Sequence, residues 1–255
     1  MRAFHRLLLM AIMLTLAGCA TVDEEDTSKW TAARFYQEAQ SAIKVKNYET
    51  AIQHLESLEG QFPYGPYAEQ AGLDLAYVYY LSGETESAIA AADRFIKTHP
   101  QHKDVDYAYY LRGLALFEEN RSFMYETFNQ DPTQRNPEGA RRSFQYFAEL
   151  VRKYPDSKYS KDAQQRMIDL RNRLAAYEVY IARFYLERDA YVAASNRGRY
   201  VVENYNDTPS VGDALVVMVQ AYRKMGMDKL ANDSMRVLML NYPKHPEIVK
   251  LQHQQ

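Results

Sequence analysis

The sequence predicts an all-α protein built as a right-handed α-solenoid of about five helix pairs. Three observations support this prediction. Aromatic or histidine residues followed by proline recur along the chain, small residues lie at a fixed distance before several of them, and apolar residues repeat with a helical period. No stretch alternates polar and apolar residues long enough to indicate a β-strand.

The chain begins with an export signal, which we place at residues 1–18. Arg2 and Arg6 precede an apolar run, 7–16, which is shorter than the roughly 20 residues of a membrane span. The following sequence, Leu-Ala-Gly-Cys, resembles the lipobox of bacterial lipoprotein precursors. This resemblance implies cleavage before Cys19 and covalent N-acyl and S-diacylglycerol lipid on that residue. The alternative is a plain signal peptide with an incidental cysteine.

Residues 19–30 are predicted to form a flexible tether between the lipid and the folded body. Cys19 is the only cysteine, so a disulfide within the chain is excluded. Ala20, rather than aspartate, follows it, and resemblance to lipoprotein sorting signals then favours the periplasmic face of the outer membrane. Two or more acyl chains anchor a protein stably, because each buried methylene contributes about 0.8 kcal/mol. We expect no cofactor besides this lipid.

The repeat is marked by Phe62-Pro63, His99-Pro100, Tyr154-Pro155 and Tyr242-Pro243, and by a degenerate stretch, 205–209. At most of these markers an aromatic residue closes one helical pattern and small or polar residues open the next. Successive markers are separated by 37, 55, 51 and 37 residues. Two spacings are close to the roughly 34 residues of a tetratricopeptide repeat, and two indicate the same unit with an insertion or a longer helix.

Spacing within the units agrees with antiparallel helix pairs. Ala51, Ala88 and Ser143 each lie twelve residues before a marker proline, where a small side chain lets two helices approach closely. Between 157 and 188, apolar residues step by three and four along one helix of about 30 residues. The residues of this stripe are Ala163, Met167, Leu170, Leu174, Tyr177, Ile181 and Phe184.

Tyrosines are concentrated on the predicted first helices, which line the concave side of such a stack. For any single tyrosine, packing between repeats is the favoured interpretation. In the pairs Tyr79-Tyr80 and Tyr109-Tyr110, adjacent side chains lie about 100° apart on a helix. We therefore expect some of these rings to line a groove that holds an extended peptide or a partner's loop.

Candidate catalytic groups are few. His99 and His102 flank a turn without a third ligand nearby, so turn histidines are favoured over a metal site. Glu56-Ser57 and Glu86-Ser87 have the residue types of lytic transglycosylases without the glycine-rich context. The net charge of −2 does not indicate a nucleic-acid partner. The sequence therefore predicts a protein that is not an enzyme and has no catalytic residue, no metal and no nucleic acid.

A series of short motifs spans nearly the whole mature chain. It comprises Ala51-Ile52-x-x-Leu55-Glu56, Phe62-Pro-Tyr-Gly-Pro-Tyr67, Leu73-Asp74-Leu75-Ala-Tyr77, Asp93-Arg94-Phe95-Ile96, Asp106-Tyr107, Arg112-Gly113-Leu114, Leu150-Val151-Arg152-x-Tyr154-Pro155, Arg173-Leu174-Ala175-x-Tyr177-Glu178, Tyr185-x-Glu187-Arg188 and Asn196-Arg197. Together with the lipobox, this series resembles the BamD family, the tetratricopeptide lipoproteins of the outer-membrane β-barrel assembly machine.

The resemblance implies a non-enzymatic scaffold. Members of this family hold the periplasmic domains of the central barrel protein of the BAM complex, alongside accessory assembly lipoproteins. They also receive unfolded outer-membrane proteins through a C-terminal β-signal. It implies that the N-terminal repeats, 31–138, recognise these substrates and that the C-terminal repeats, 139–245, dock the barrel protein. The alternative is a periplasmic tetratricopeptide lipoprotein that scaffolds cell-wall synthesis or division proteins.

For docking, the resemblance points to Arg197, which matches the arginine of the family's Asn-Arg pair and would face a carboxylate of the barrel protein. A guanidinium suits that role because it is planar and always charged. Arg188, at the end of the preceding helix, is a second candidate for the same patch. The alternative is an ordinary solvated arginine beside Arg199 and Glu203.

For substrate binding we predict Tyr64, Tyr67, Asp74 and Tyr77. Steps of seven and three from Tyr67 place Asp74 and Tyr77 on one helix face, and aromatic surfaces suit the apolar positions of an extended strand. Packing between repeats is the alternative for these tyrosines.

Two segments depart from the family pattern or carry no assigned role. The insertion 120–136 is more aromatic than its family counterparts, and a cap on the groove and a contact with an accessory lipoprotein are the alternatives. The tail, 246–255, is predicted to be polar and frayed.

Overall fold

Every regular element in the part of the chain that the computed structural model describes, residues 27–119 and 136–253, is helical. A short 3₁₀ turn, Thr27–Lys29, precedes eleven α-helices in these ranges. The helices are α1 (Ala32–Lys44), α2 (Tyr48–Gln61), α3 (Pro66–Ser82), α4 (Thr85–Thr98), α5 (Val105–Glu119), α6 (Glu138–Lys153), α7 (Ser160–Leu186), α8 (Tyr191–Asn204), α9 (Val211–Lys224), α10 (Asp228–Asn241) and α11 (Glu247–His253). The prediction of an all-α fold is confirmed. Cys19, the signal 1–18 and residues 120–135 of the insertion lie outside the described residues.

The helices form a stack of pairs. Each helix from α1 to α9 packs against the next one along the chain, which gives the five predicted pairs, α1–α2 to α9–α10. The first helices also touch one another from pair to pair, as α1 touches α3, α3 touches α5, α5 touches α7 and α7 touches α9. Because the inner layer of a solenoid is the more closely spaced one, these contacts place the first helices on the inner side. The predicted solenoid of helix pairs is confirmed.

Local signals start the first three helices. The Thr31 side chain accepts a hydrogen bond from the Arg34 amide at 3.3 Å, and Asn47 does the same for Thr50 at 3.3 Å. Before α3, Gly65 adopts φ +101°, which favours glycine, and Pro66 occupies the first turn of the helix. Short polar caps and a glycine-proline corner therefore set where the first units begin.

The second helices of the five pairs all end in the same backbone conformation, which we call the corner. Phe62, His99, Tyr154, Tyr205 and Tyr242 have φ between −127° and −132°, and each donates its amide to the carbonyl four residues earlier at 2.8 Å. In four of the five corners a proline follows and disfavours a helical conformation of the residue before it. Tyr205 takes the same geometry although Asn206 follows it. The markers in the sequence therefore define equivalent positions in the structure.

The small residues that precede these corners are buried at helix-helix contacts. Ala51, Ala88 and Ser143 are at most 1% exposed, as the spacing predicts. Ala194 and Ala231 continue the same offset in the last two pairs and are also buried. The hydroxyl of Ser143 donates to the Gly113 carbonyl on α5 at 2.8 Å, so the polar member of the set satisfies its hydrogen bond across the pair.

The long predicted helix is α7, which runs for 27 residues. Its buried face begins with Ala163, Leu170 and Leu174, as predicted, but then continues through Val179 and Ala182. The predicted stripe is wrong at its end, where Phe184 is 38% exposed. On a straight helix, an apolar stripe that repeats every seven residues rotates around the helix axis by about 20° per repeat. The last residues of the stripe therefore turn away from the core.

Both ends of the described chain differ from the predicted boundaries. Trp30, assigned to the tether 19–30, is buried, with its ring 5.0 Å from that of Phe35. The tail 246–255 was predicted to fray, whereas 247–253 form α11, with Ile248 and Leu251 buried. Arg223 of α9 also donates to the Leu251 carbonyl at 2.6 Å. These residues belong to the folded body.

Within 27–119 and 136–253, no helix is both long enough and apolar enough to traverse a bilayer.

Candidate partner-binding surfaces

A buried carboxylate joins three helices of the C-terminal repeats. Glu178 of α7 is 1% exposed, and its two oxygens accept hydrogen bonds from two arginines. Arg197 of α8 donates to Oε2 at 2.8 Å, and Arg141 of α6 donates to Oε1 at 3.2 Å. We refer to these three residues as the Glu178 cluster. The predicted docking residue Arg197 therefore has an ion-pair partner within its own chain.

The charges of the Glu178 cluster do not balance. Its anion is buried, whereas Arg141 and Arg197 remain 43% and 45% exposed, so two half-exposed cations face one anion. The hydroxyl of Tyr205 lies close to this charge. Its pKa is raised first by burial and then by Tyr200, while Arg141 opposes the rise and Glu178 adds to it. The cluster thus presents an excess of one positive charge to the surface.

Arg188, the second predicted docking residue, has a separate contact. Its guanidinium lies 3.6 Å above the ring of Phe184 and donates to the Phe184 carbonyl at 3.4 Å. Phe184 is six residues beyond Glu178 on α7, or about 9 Å along the helix axis. The structure therefore gives Arg197 and Arg188 different partners on the same helix rather than one shared contact.

Asp74 lies at the contact between the first helices α1 and α3. Its carboxylate accepts hydrogen bonds from the Tyr36 hydroxyl at 2.9 Å, Gln40 at 2.6 Å and Gln70 at 2.8 Å. Burial raises the pKa of Asp74 above its ordinary value, although the three hydrogen bonds oppose the rise. The ring of Tyr67 packs against that of Tyr36 at 5.7 Å. Two of the predicted substrate residues thus share a network with α1.

Tyrosine rings continue from this network along the inner side of the stack. Tyr77 lies 6.3 Å from Tyr107 of α5, which stacks on Tyr159, at the start of α7, at 5.0 Å. Burial is the first cause of a raised pKa at Tyr107. On the buried side, Tyr110 stacks on Tyr159 at 4.9 Å and donates to Asp162 at 2.6 Å. We call the exposed and half-buried members, Tyr36, Tyr67, Tyr77, Tyr107 and Tyr159, the aromatic strip.

The pair Tyr109-Tyr110 corrects one expectation. Both side chains are buried, at 5% and 9% exposure, so neither is an open groove residue. Tyr109 faces the second helices, where its ring lies 5.3 Å from Tyr154, while Tyr110 faces α7. Because other helices pack against α5 on both sides, two adjacent tyrosine side chains of this helix can both be buried.

Tyr64 lies apart from the other predicted substrate residues. It is 91% exposed and lines a groove of about 910 Å³ between α2, α3 and α4. The α3 residues of that groove, such as Gly72 and Tyr79, face away from the side that carries Tyr67, Asp74 and Tyr77. The structure therefore brings three of the four predicted residues to one side of α3 and leaves Tyr64 on the other.

The histidines and glutamates that suggested other chemistry have packing partners. His99 and His102 each lie 5.2 Å from the Phe95 ring. Glu56 accepts a hydrogen bond from the Tyr79 hydroxyl at 2.5 Å, and Glu86 accepts from Arg142 at 2.6 Å. Each glutamate therefore links its own helix pair to the next one.

Glu178 and Arg141 were not predicted as site residues. The available signal was a single charged residue among Ala175, Val179 and Ala182 on the buried face of α7, since a buried carboxylate requires a partner. Which arginines supply that partner depends on how α6 and α8 pack against α7. No local motif contains this information.

Fold and surfaces together define the class of α-solenoid repeat proteins, which present extended faces to other polypeptides. The model of one family, described as "Outer membrane lipoprotein" (YfiO), matches residues 28–238. The chain belongs to this family, whose curated relatives carry the name outer membrane protein assembly factor BamD. The predicted resemblance to BamD is confirmed.

The curated relatives cover almost the whole chain. The BamD of Neisseria meningitidis serogroup B is 42% identical over 245 residues, which is 94% of this chain and 92% of the relative. The BamD of Vibrio cholerae is 36% identical over 91% of this chain and 96% of the relative. The BamD of Haemophilus influenzae is 32% identical over 96% and 93%. By family, the protein is a lipoprotein of the outer membrane and is not an enzyme.

Proposed function

We propose that the protein is a non-enzymatic scaffold of the outer-membrane β-barrel assembly complex. It docks the periplasmic domain of the central barrel protein and receives the C-terminal β-signal of unfolded outer-membrane proteins for insertion. The observation that carries this proposal is a stack of helix pairs with an inner aromatic strip from α1 to the start of α7 and a positively charged cluster on α6, α7 and α8. The names of the relatives, outer membrane protein assembly factor BamD, support the same role.

Docking is assigned to the C-terminal repeats, 139–245. Arg197 is half exposed at the Glu178 cluster, where the excess positive charge favours a carboxylate of the barrel protein. Arg188 contributes an exposed guanidinium stacked on Phe184, and an arginine on an aromatic ring is a common anchor in protein interfaces. Accessory assembly lipoproteins are expected as further partners of the same complex.

Substrate recognition is assigned to the N-terminal repeats, 31–138, whose aromatic strip continues onto Tyr159 of the next pair. Rings in the aromatic strip are 6.3 Å and 5.0 Å apart from Tyr77 through Tyr107 to Tyr159. Alternate side chains of an extended strand are about 6.8 Å apart, so apolar residues of a β-signal can meet successive rings. Tyr67 and Asp74 extend this surface toward α1, whereas Tyr64 provides a separate aromatic contact at the groove between α2, α3 and α4.

Affinity capture from membranes in mild detergent tests the scaffold role. The unchanged protein is expected to retain a large β-barrel protein with periplasmic domains, and Arg197→Gln is expected to lose most of it. Arg199→Gln on the same helix is the matched control, since Arg199 is 57% exposed and lies opposite Glu203 at 3.9 Å. Recovery of peptidoglycan enzymes alone would favour a scaffold of cell-wall synthesis or division.

A photo-crosslinking amino acid tests the substrate surface. Placed at Tyr67 or Tyr77, it is expected to label a peptide with the C-terminal β-signal of an outer-membrane protein. A peptide of the same composition in scrambled order is the control. Labelling at Tyr64 alone would move the substrate surface to the groove between α2, α3 and α4.

Lipid attachment is proposed at Cys19. Metabolic labelling with radioactive palmitate is expected to mark the unchanged protein, and Cys19→Ala is expected to remove the label and the outer-membrane localisation. Label retained by Cys19→Ala would contradict the lipobox assignment.

A further inference from the structure

We infer that Arg141 is a second docking residue, and that Arg141 and Arg197 together bind one carboxylate of the barrel protein while Glu178 holds them side by side. The inference rests on the proposed docking function. It adds a second docking residue and a ratio of two arginines to one carboxylate of the partner. It follows from the geometry, exposure and charge of the Glu178 cluster.

Geometry places both guanidiniums at the same point of the surface. Arg141 comes from α6 and Arg197 from α8, and each binds a different oxygen of one carboxylate on α7, which lies between them. A guanidinium carries five N–H donors, and each of these arginines donates a single hydrogen bond to Glu178. Since both side chains are nearly half exposed, donors remain for an incoming acceptor.

Burial of Glu178 explains why the two arginines can bind a partner while they stay attached to Glu178. Its 1% exposure means that a lost partner leaves an unpaired charge in the interior, which is strongly unfavourable. Two arginines keep the carboxylate paired even when one of them shifts toward a ligand. Glu178 thus acts as a buried anchor, and a single carboxylate from a partner balances the remaining positive charge.

Arg112 shows what a closed site of the same kind looks like in this chain. Its side chain is 8% exposed and forms ion pairs with Asp93 at 2.8 Å and Glu149 at 2.7 Å. There the cation is buried and the two anions lie outside. That arrangement ties α4, α5 and α6 together, and its central arginine is too buried to reach a partner. The Glu178 cluster has the opposite order, with the anion inside and two cations at the surface.

Direct binding by Arg141 can be separated from a purely structural role. The full-length protein in detergent is titrated with the purified periplasmic domain of the central barrel protein, and the dissociation constant is measured at low and high salt. Arg141→Gln and Arg197→Gln are each expected to weaken binding at least tenfold and to reduce its salt dependence. Arg199→Gln is expected to stay within twofold of the unchanged protein.

The double variant Arg141→Gln/Glu178→Gln, compared with Glu178→Gln alone, decides between the two roles of Arg141. Both variants lack the buried charge, so Arg197 is no longer needed to balance Glu178 in either of them. If Arg141 binds the partner, the double variant is at least tenfold weaker than Glu178→Gln. Equal affinity of the two variants would mean that Arg141 only neutralises Glu178, and would overturn the inference. Circular dichroism confirms that each variant is folded.

The outcomes also separate this inference from the proposed function. Weak binding by Arg197→Gln with full binding by Arg141→Gln overturns the inference and leaves docking at Arg197 in place. Full binding by Arg197→Gln removes the docking assignment and the inference with it. An unchanged protein that does not bind the periplasmic domain overturns the proposed function as well.

Discussion

Arg197 and Glu178 are nineteen positions apart on neighbouring helices, and their ion pair, at 2.8 Å, joins a half-exposed cation to a fully buried anion. The arginine therefore has a structural task beside its proposed role in docking. A substitution at this position changes both the surface and the interior.

Arg197→Glu should destabilise the fold because it places a second carboxylate beside Glu178. Breaking a buried ion pair typically costs about 3–5 kcal/mol, and Arg141 offsets part of that here. We expect a lower urea midpoint by circular dichroism, with a smaller loss in Arg197→Glu/Glu178→Gln. Arg199→Glu, at an exposed pair, should change the midpoint little. Equal midpoints for Arg197→Glu and Arg199→Glu would contradict this account.

Gly113→Ala should destabilise the contact between α5 and α6. A Cβ atom at this position would lie 2.5 Å from the ring of Phe147, which is fully buried and cannot move freely. Overpacking of this kind typically costs about 1–3 kcal/mol. Gly60→Ala, near the end of α2, is the control, since a Cβ atom there meets nothing within 4 Å and should slightly stabilise the helix. Thermal unfolding measures both; a Gly113→Ala protein as stable as Gly60→Ala would refute the close approach.

Leu251→Ala should release α11 from the last pair because this side chain of α11 is fully buried. Removing a buried leucine typically costs about 2–5 kcal/mol. Val249→Ala is a matched control two residues away, with its side chain 60% exposed. Urea unfolding of the two variants compares them directly. Similar midpoints would indicate that the tail frays, as the sequence alone suggested.

Acid should weaken the ion pairs around Arg112. Burial by itself raises the pKa of Glu149, but hydrogen bonds from Lys153 and Arg112 outweigh it and hold the pKa below its ordinary value of 4.5. The unfolded chain therefore binds this proton more readily, so the stabilisation is present above pH 4.5 and is lost as the pH falls through the lower folded value.

Glu149→Gln should accordingly flatten the acid side of the stability profile. Urea midpoints between neutral pH and about pH 3 are compared for the unchanged protein, Glu149→Gln and the control Glu203→Gln, whose side chain is 62% exposed. The drop in midpoint should be smallest in Glu149→Gln. A drop as large as in Glu203→Gln would show that the pair does not contribute to acid sensitivity.

Repeat boundaries could be predicted from the sequence because they depend on local chemistry. A proline restricts the residue before it, and a small residue twelve positions earlier permits a close helix contact, so both signals lie within one unit. The corners at Phe62 and Tyr242 and the buried Ala51 and Ala88 follow from these rules.

Partners across helices could not be predicted in this way. The pairing of Glu178 with Arg141 and Arg197 depends on the rotation of three helices about their axes, which no short motif encodes. Tyr64 and Tyr67 are three residues apart, yet the turn at Gly65 separates their directions. Sequence spacing alone places a residue on a helix, whereas the neighbouring helices determine what that residue touches.

The length of α7 has a mechanical consequence. Its 27 residues make a rod of about 40 Å that packs against α5, α6, α8 and α9. Tyr159, in the aromatic strip, immediately precedes the rod, and Glu178 lies two-thirds of the way along it. One continuous helix therefore connects the proposed substrate surface to the arginine pair, and the two proposed binding surfaces share a single structural element.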